Sequence, residues 1–281
     1  MSGKPCRLNL NLSGIHVQLD GPDDGAMELF RAEWSEWISS HRTAADLRME
    51  FRVSGEPPRD QDTLRKVLHT GHGDGTIVFT TGEGRVEIDR SGRVAATVSR
   101  GGDRFRFFGL QNLLLAALAR VLPSRGIVVV HGAGIVLEGA AIALIGPEGA
   151  GKTTWADISR EQGVTVLSDD LLFLGLDGGQ AVALGSPFRG AGNAPGRYPL
   201  RMLLAAEHAR EPAILPCSRL VFQALLSANL PFSGDLIGQD ADLDRLLDSI
   251  LDVVPFRTLA FAPDPSFLQL LGDRPAGRIR E

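Results

Sequence analysis

The sequence from Ala140 to Gly163, AAIALIGPEGAGKTTWADISREQG, joins an apolar run to a glycine-rich segment and then to a stretch of helical character. The apolar run Ala140–Ile145 predicts a strand. The stretch from Gly151 to Gln162 predicts a helix, and Gly163 is suited to end it, since glycine adopts the left-handed conformation that often follows a helix. A strand, a glycine-rich turn and a helix in this order predict an α/β fold.

The glycine-rich segment has the spacing G-x-x-x-x-G-K-[ST] of a phosphate-binding loop. Glycines let successive backbone N–H groups turn toward phosphate oxygens, and the N-terminus of the following helix adds partial positive charge. We expect Lys152 to reach the β- and γ-phosphates and the Thr153 hydroxyl to bind Mg²⁺. Lysine is rare in this chain, at three of 29 basic residues. The predicted nucleotide-binding residues are Gly146, Pro147, Glu148, Gly149, Ala150, Gly151, Lys152, Thr153 and Thr154.

Two adjacent carboxylates, Asp169 and Asp170, follow the next predicted strand, Val164–Leu167. Ligands of open α/β sheets gather beyond the carboxyl ends of the strands, so we expect these side chains to lie beside the nucleotide. One of them would hold Mg²⁺ and the other would accept a proton from an incoming hydroxyl. The alternative is a helix cap or a solvated turn. Upstream, His131 ends the predicted strand Ile127–Val130 and, by itself, is more typical of a buried structural histidine.

The segment from Gly126 to Leu174 resembles the catalytic core of HPr kinase/phosphorylase, a family that shares its nucleotide-site design with phosphoenolpyruvate carboxykinases. The resemblance is carried by His131-Gly132, the apolar double strand GIVLEGAAIALI, the loop GPEGAGKT, the helix WADISREQ, Gly163 and the strand ending VTVLSDD. The order of these parts and their spacing match the family. The chain is too short for the usual two-lobed carboxykinases.

The resemblance implies a stand-alone relative of the kinase that uses ATP and Mg²⁺ to phosphorylate a hydroxyl of a peptide, a protein or a small molecule. By position, Asp170 would be the general base and Asp169 would support the metal, although adjacent carboxylates near Mg²⁺ are coupled and these roles are exchangeable. His131 would contact the transferred phosphoryl group or orient Asp170. Because relatives assemble, a homo-oligomer is also expected, of a size that no local feature sets.

Some residues depart from the family pattern. Glu148 stands where the family usually has serine, and Pro187 stands where it has a Mg²⁺-binding glutamate. The family's signature for docking HPr is not recognisable after residue 200, so HPr is not the expected acceptor. The competing hypothesis is therefore a catalytically weak ATP-binding regulator or scaffold.

Three arginines, Arg189, Arg197 and Arg201, lie in the predicted loop 187–201. Arg189 is the best candidate to stabilise charge on the transferred phosphoryl group, because it stands where the family has arginine. The alternative is a solvated loop, since arginine is the usual basic residue of this chain.

The pattern divides the chain into a smaller β-rich N-terminal lobe, 1–104, and a P-loop catalytic domain, 105–281, of the HPr-kinase and phosphoenolpyruvate-carboxykinase type. An apolar helix over 105–122 is expected to link them. Further along, a strand is predicted near Leu220–Gln223 and a helix over Leu243–Leu251.

The composition excludes several classes of protein. Two cysteines, Cys6 and Cys217, rule out a disulfide scaffold, and a net charge of −5 argues against nucleic-acid binding. No apolar stretch is long and uninterrupted enough for a membrane helix, and the N-terminus lacks a signal-peptide pattern. We therefore expect a cytoplasmic protein that acts without nucleic acid or membrane.

Overall fold

The computed structural model describes residues 5–22, 24–41, 43–56, 68–71, 75–188, 190, 192–232 and 241–272. They form a mixed α/β protein with two sheets. The chain divides into two units, one of Met1–Arg125 with Pro231–Gln239 and one of Gly126–Leu230 with Asp240–Glu281. No helix in the described part of the chain has both the length and the hydropathy needed to cross a bilayer.

The first unit is built on a seven-stranded sheet in the order β1-β2-β3-β7-β6-β5-β4. Its pairs are antiparallel except β2 with β3 and β3 with β7. The strands are β1 (Pro5–Leu12), β2 (Ile15–Pro22), β3 (Leu47–Val53), β4 (Leu68–Gly71), β5 (Ile77–Thr81), β6 (Gly84–Ile88) and β7 (Val94–Val98), and the helices are α1 (Gly25–Glu33) and α2 (Asp103–Val121).

Helix α2 belongs to the first unit, whereas the sequence assigned 105–122 to the catalytic domain as a linking helix. The ring centroid of Phe107, in α2, lies 4.7 Å from that of Phe30, in α1. At Gly109 the helix approaches the sheet so closely that a Cβ would lie 2.8 Å from Glu83 Cβ. The apolar surface of the helix thus covers this sheet, and the chain divides after Arg125 rather than after residue 104.

The second unit contains the predicted strand, loop and helix. Its elements are β8 (Ile127–Leu137), β9 (Ala140–Ile145), α3 (Lys152–Glu161), β10 (Thr165–Ser168), β11 (Leu171–Asp177), β12 (Gln180–Leu184), β13 (Arg197–His208), β14 (Ala213–Leu215), α4 (Arg219–Ala228), α5 (Ala241–Val253), β15 (Phe256–Phe261) and α6 (Ser266–Gly272). As predicted, α3 ends before Gly163, which has a φ of 76° and whose N–H donates to Arg160 O.

Strand β8 continues through His131, contrary to the prediction that this residue ends a strand. Residues 127–131 pair with β11, and residues 132–137 pair with β9. Gly132, which follows His131, stays in the strand and pairs with Ile145. Close packing explains why a glycine stands here. A Cβ on Gly132 would lie 2.6 Å from Ile145 Cδ1 and 3.2 Å from Leu144 O.

Helices cover both faces of the sheet around β9. On this strand, Ala141, Ala143 and Ile145 belong to a core cluster with residues of α4 and α5. Ile142 and Leu144 belong to a second cluster with Trp155 of α3 and Phe267 of α6. Burial on both faces explains why the strand reads as an unbroken apolar run.

Helix α4 replaces the strand predicted near Leu220–Gln223. The hydroxyl of Ser218 caps it by accepting the Val221 N–H at 3.3 Å. Phe222 and Leu226, one turn apart, are wholly buried. A short apolar run does not distinguish strand from helix, and the cap with the four-residue spacing decides it here. The predicted helix over Leu243–Leu251 is confirmed as part of α5.

We expect Phe222→Ala to lower the free energy of unfolding by about 3–5 kcal/mol, because it leaves a cavity between α4 and the sheet. Chemical denaturation of the full chain measures this change. The control is Val221→Ala on the same helix, where the side chain is 60% exposed. That variant should stay within about 0.5 kcal/mol of wild type. Equal effects of the two substitutions would contradict the packing of α4.

Candidate phosphate-binding and catalytic site

The pairing of β8 brings three predicted parts of the site together. Ile145, the last residue of β9, is paired with Gly132, and Leu171, the first residue of β11, is paired with His131. The glycine-rich loop starts at Gly146, directly after Ile145, and Asp170 directly precedes Leu171. Both therefore lie next to residues 131–132 of β8. The Gly132 N–H donates to Asp170 O at 2.9 Å.

The glycine-rich loop has the strand–loop–helix context that its motif requires. Gly149 and Gly151 have φ angles of 79° and 87°, in the left-handed region that glycine enters without strain. Gly151 precedes the first turn of α3, and among the described residues no side chain caps that turn. The first N–H groups of α3 therefore remain available to an anion.

The ammonium of Lys152 is held over its own loop. Its Nζ donates to Gly146 O at 2.7 Å and to Pro147 O at 2.9 Å. Burial lowers the pKa of Lys152, and the negative charges of Asp170 and Glu148 oppose that shift. Lys152 and Asp170, distant in the sequence, thus share one electrostatic environment.

Asp170 also lies beside His131. The distance from His131 Nδ1 to Asp170 Oδ1 is 3.7 Å, and each side chain is 34% exposed. This is an ion-pair distance when the imidazole is protonated and is too long for a hydrogen bond. The backbone of His131 is held as well, since its N–H donates to Asn229 O at 2.6 Å at the end of α4.

Asp169 has different surroundings from its neighbour. Burial raises the pKa of its carboxyl, whereas hydrogen bonds from its own backbone N–H and from Asn193, together with the charge of Arg160, lower it. The charge of Asp170 adds to the rise. Asn193 Nδ2 lies 3.5 Å from Asp169 Oδ1. The two carboxylates are thus distinct: Asp170 is coupled to the loop lysine, and Asp169 to Asn193 and Arg160.

The remaining predicted residues are distributed as follows. Thr153 and Thr154 are exposed in the first turn of α3, and Glu148 is exposed in the loop. Arg197 and Arg201 lie in β13 and make ion pairs with Asp177 at 3.0 Å and with Glu138 at 3.5 Å. Both arginines therefore have carboxylate partners away from the glycine-rich loop. Arg189 lies outside the described residues.

A histidine that the sequence did not identify supports the loop. His208, the last residue of β13, has its Nε2 3.0 Å from Gly149 O, where an N–H donates to the carbonyl. Its ring lies 6.4 Å from that of Phe261 at the end of β15, centroid to centroid. A Cβ on Gly151 would lie 3.2 Å from Phe261 Cζ and 3.4 Å from His208 Cε1. Nothing in the local sequence of His208 marks it, because its role comes from the pairing of β13 with β9.

The donor groups fit a magnesium ion that is bound together with nucleotide phosphates. In the described residues, no cluster of three or more His, Cys, Asp or Glu side chains is able to hold a metal. Mg²⁺ typically takes one or two carboxylates, substrate phosphates and waters instead of an all-protein cage. Asp169 and the hydroxyl of Thr153 are donors of that kind.

If the loop binds ATP as its motif predicts, we expect His208→Ala to weaken that binding about three- to tenfold, because it removes the hydrogen bond that holds the Gly149 carbonyl. Isothermal titration calorimetry measures the affinity. His208→Gln retains a side-chain N–H donor and should restore most of it. An affinity of His208→Ala equal to that of wild type would show that this hydrogen bond does not position the loop.

Comparison with known proteins returned a weak structural likeness. The structure of the HPr(Ser) kinase/phosphatase from Coxiella burnetii is similar to 33% of this chain and 71% of its own, with a TM-score of 0.25 and 13% sequence identity. At that TM-score the likeness carries no argument about fold or function. No family model matches the sequence. No curated protein matches it either.

Proposed function

We propose that this chain is an ATP-dependent kinase that transfers the γ-phosphoryl group to a hydroxyl, either a Ser or Thr of a peptide or protein or a hydroxyl of a small molecule. The observation that carries the proposal is the register of β8, which pairs Gly132 with the residue before the phosphate loop and His131 with the residue after Asp170. Asp170 in turn lies 3.7 Å from the ring of His131. The start of the phosphate loop and Asp170 therefore lie beside two consecutive residues of β8.

ATP would bind through the loop and the start of α3. Backbone N–H groups of Gly149 and of Gly151 to Thr154, at the helix N-terminus, would supply donors for the phosphates, whereas the Ala150 N–H already donates to Pro147 O. Lys152 would exchange its two carbonyl acceptors for phosphate oxygens. The exchange favours binding, because a charge-assisted hydrogen bond to phosphate is stronger than one to a neutral carbonyl.

Transfer would start when the acceptor oxygen attacks the γ-phosphorus. Asp170 takes the proton of the hydroxyl while the new P–O bond forms and the bond to the β–γ bridging oxygen breaks, leaving ADP. Lys152 neutralises charge on the phosphates. His131 orients the Asp170 carboxylate from its place in β8. Arg189, by its place in the family pattern, would stabilise the transferred group.

The surroundings of the two carboxylates favour one division of roles. Asp170 is the base in this proposal, because it is partly exposed and coupled to Lys152. Asp169 and Thr153 would hold Mg²⁺. When bound, that ion would neutralise negative charge on the phosphates.

A second candidate is an ATP-binding regulator that transfers nothing. Glu148 favours it, because its negative charge acts on Lys152 at the place where phosphates would bind. Pro187 favours it too, since a proline has no side-chain ligand for Mg²⁺ at the position where the resembling family has glutamate.

Lys152→Ala is expected to reduce ATP affinity at least about tenfold, through loss of a charge-assisted hydrogen bond to phosphate. Titration calorimetry with Mg²⁺–ATP measures it. Arg245→Ala removes a positive charge from an exposed position on α5 and serves as the matched control. Unchanged affinity in Lys152→Ala would refute the assignment of the phosphate loop.

Asp170→Asn is expected to retain ATP binding and to lower phosphoryl transfer about 10²- to 10⁴-fold, because the amide does not accept the acceptor's proton. The assay uses γ-labelled ATP with peptides and proteins encoded by neighbouring genes. Asp177→Asn at the far end of β11 is the control, since its carboxylate pairs only with Arg197 among the contacts described.

The wild-type protein decides between the two candidate functions in the same assay. ATP binding without transfer to any acceptor would favour the regulator. Undiminished transfer by Asp170→Asn would contradict the assignment of the base.

A further inference from the structure

A polar cluster with incomplete hydrogen bonding lies next to Asp169. Its first member is Arg160, in the last turn of α3. Arg160 Nη1 donates to Asp157 Oδ1 at 2.6 Å on the same helix. Its Nε and Nη2 are buried and have no partner among the described residues. Two buried nitrogens of a partly exposed guanidinium are thus left unused.

The second member is Asn193, in the segment that leads to β13. Its Nδ2 donates to Ser186 O at 2.9 Å and lies 3.5 Å from Asp169 Oδ1. Its Oδ1 is buried, with no partner in the described part of the chain. Asn193 Oδ1 therefore has no donor to accept from, and Arg160 Nε and Nη2 have no acceptor to donate to, among the described residues.

Glycines let the backbone pass close to both groups. A Cβ on Gly190 would lie 2.1 Å from Asp169 Oδ1 and 2.3 Å from Asn193 Nδ2. A Cβ on Gly192 would lie 3.6 Å from Arg160 Nε. The side chains of Asp169 and Asn193 thus lie against Gly190, and that of Arg160 lies near Gly192.

A buried polar atom without a partner costs about 1–3 kcal/mol, and more when the group is charged. The cluster contains three such atoms: Arg160 Nε, Arg160 Nη2 and Asn193 Oδ1. An arrangement in which these atoms form hydrogen bonds is therefore favoured over one in which they do not. The carboxylate of Asp169 is the nearby acceptor for N–H groups of both Arg160 and Asn193. Arg160 already acts on that carboxylate electrostatically.

We propose that Arg160 and Asn193 are positioning residues that hold the Asp169 carboxylate for the metal–nucleotide complex. With the metal–nucleotide complex bound, Arg160 would donate from its unused Nε and Nη2 to Asp169 and to Asn193 Oδ1, and Asn193 Nδ2 would donate to the same carboxylate. The inference rests on the proposed ATP-dependent function. It adds two residues that neither the phosphate-loop motif nor the family resemblance identifies.

The test measures metal binding directly and does not depend on turnover. Electron paramagnetic resonance of free Mn²⁺ gives the affinity of the protein–ATP complex for the ion. Arg160→Gln and Asn193→Leu are expected to weaken Mn²⁺ binding about 10- to 100-fold, the usual cost of losing a partner of a metal ligand. Binding of ATP at saturating Mn²⁺ should stay within about twofold of wild type, because the phosphate loop is untouched.

Two further variants separate positioning from helix stability. Asp157→Asn removes the ion pair within α3 and leaves the Arg160 fork in place, so it should bind Mn²⁺ like wild type. Arg160→Lys keeps the charge without the planar fork and should recover part of the affinity. If Arg160→Gln fails to fold, Arg160→Lys and Asn193→Leu carry the test.

The outcomes are distinguishable. Mn²⁺ affinity unchanged in both Arg160→Gln and Asn193→Leu, in a protein that binds ATP, overturns this inference and leaves the proposed function standing. A loss in Asp157→Asn equal to that in Arg160→Gln overturns it as well, because Arg160 then serves only its helix. A wild-type protein that binds no ATP overturns the proposed function, and the inference with it.

Discussion

The register of strand β8 is the constraint on which the candidate site depends. At His131 and Gly132 the strand exchanges one partner, β11, for another, β9. One partner leads into the phosphate loop, and the other follows directly from the two aspartates. A slip of one residue along β8 would move its side chains to the opposite face and separate these groups. Close packing at Gly132 opposes such a slip, since no larger residue fits beside Ile145 and Leu144.

Packing on both faces of β9 holds the phosphate loop in place. The side chains of this strand alternate between a cluster under α4 and α5 and a cluster under α3 and α6. The loop joins that rigid strand to α3, and Trp155 of α3 is wholly buried against Phe267, with ring centroids 5.9 Å apart. The loop therefore spans only the few residues between two packed elements. Lys152, at the start of α3, and His208, at the end of β13, donate hydrogen bonds to carbonyls of the loop. The loop is thus anchored at both ends and along its backbone, which lowers the entropic cost of ordering it for any ligand.

Residues far apart in sequence give the two neighbouring aspartates different chemistry. Asp170 shares its environment with Lys152 and His131, and Asp169 shares its own with Asn193 and Arg160. Two equivalent carboxylates side by side would repel each other and compete for one cation. One lies beside His131 and the other beside Asn193, so the two carboxylates differ in their surroundings.

The amino-acid sequence by itself determined the strand, the glycine-rich loop, helix α3 with its terminal Gly163, and the aspartate pair. Glycine conformation, helix ends and apolar periodicity act within a few residues, so a local pattern is enough to predict them. Local patterns failed at His131, where Gly132 allows a strand to continue, and at Leu220–Gln223, where a capped helix forms. Tertiary structure alone decided that α2 joins the first unit and that His208, Arg160 and Asn193 surround the site. Their roles depend on pairing and burial between distant segments, and a side chain's neighbours across a sheet leave no mark on its own stretch of sequence.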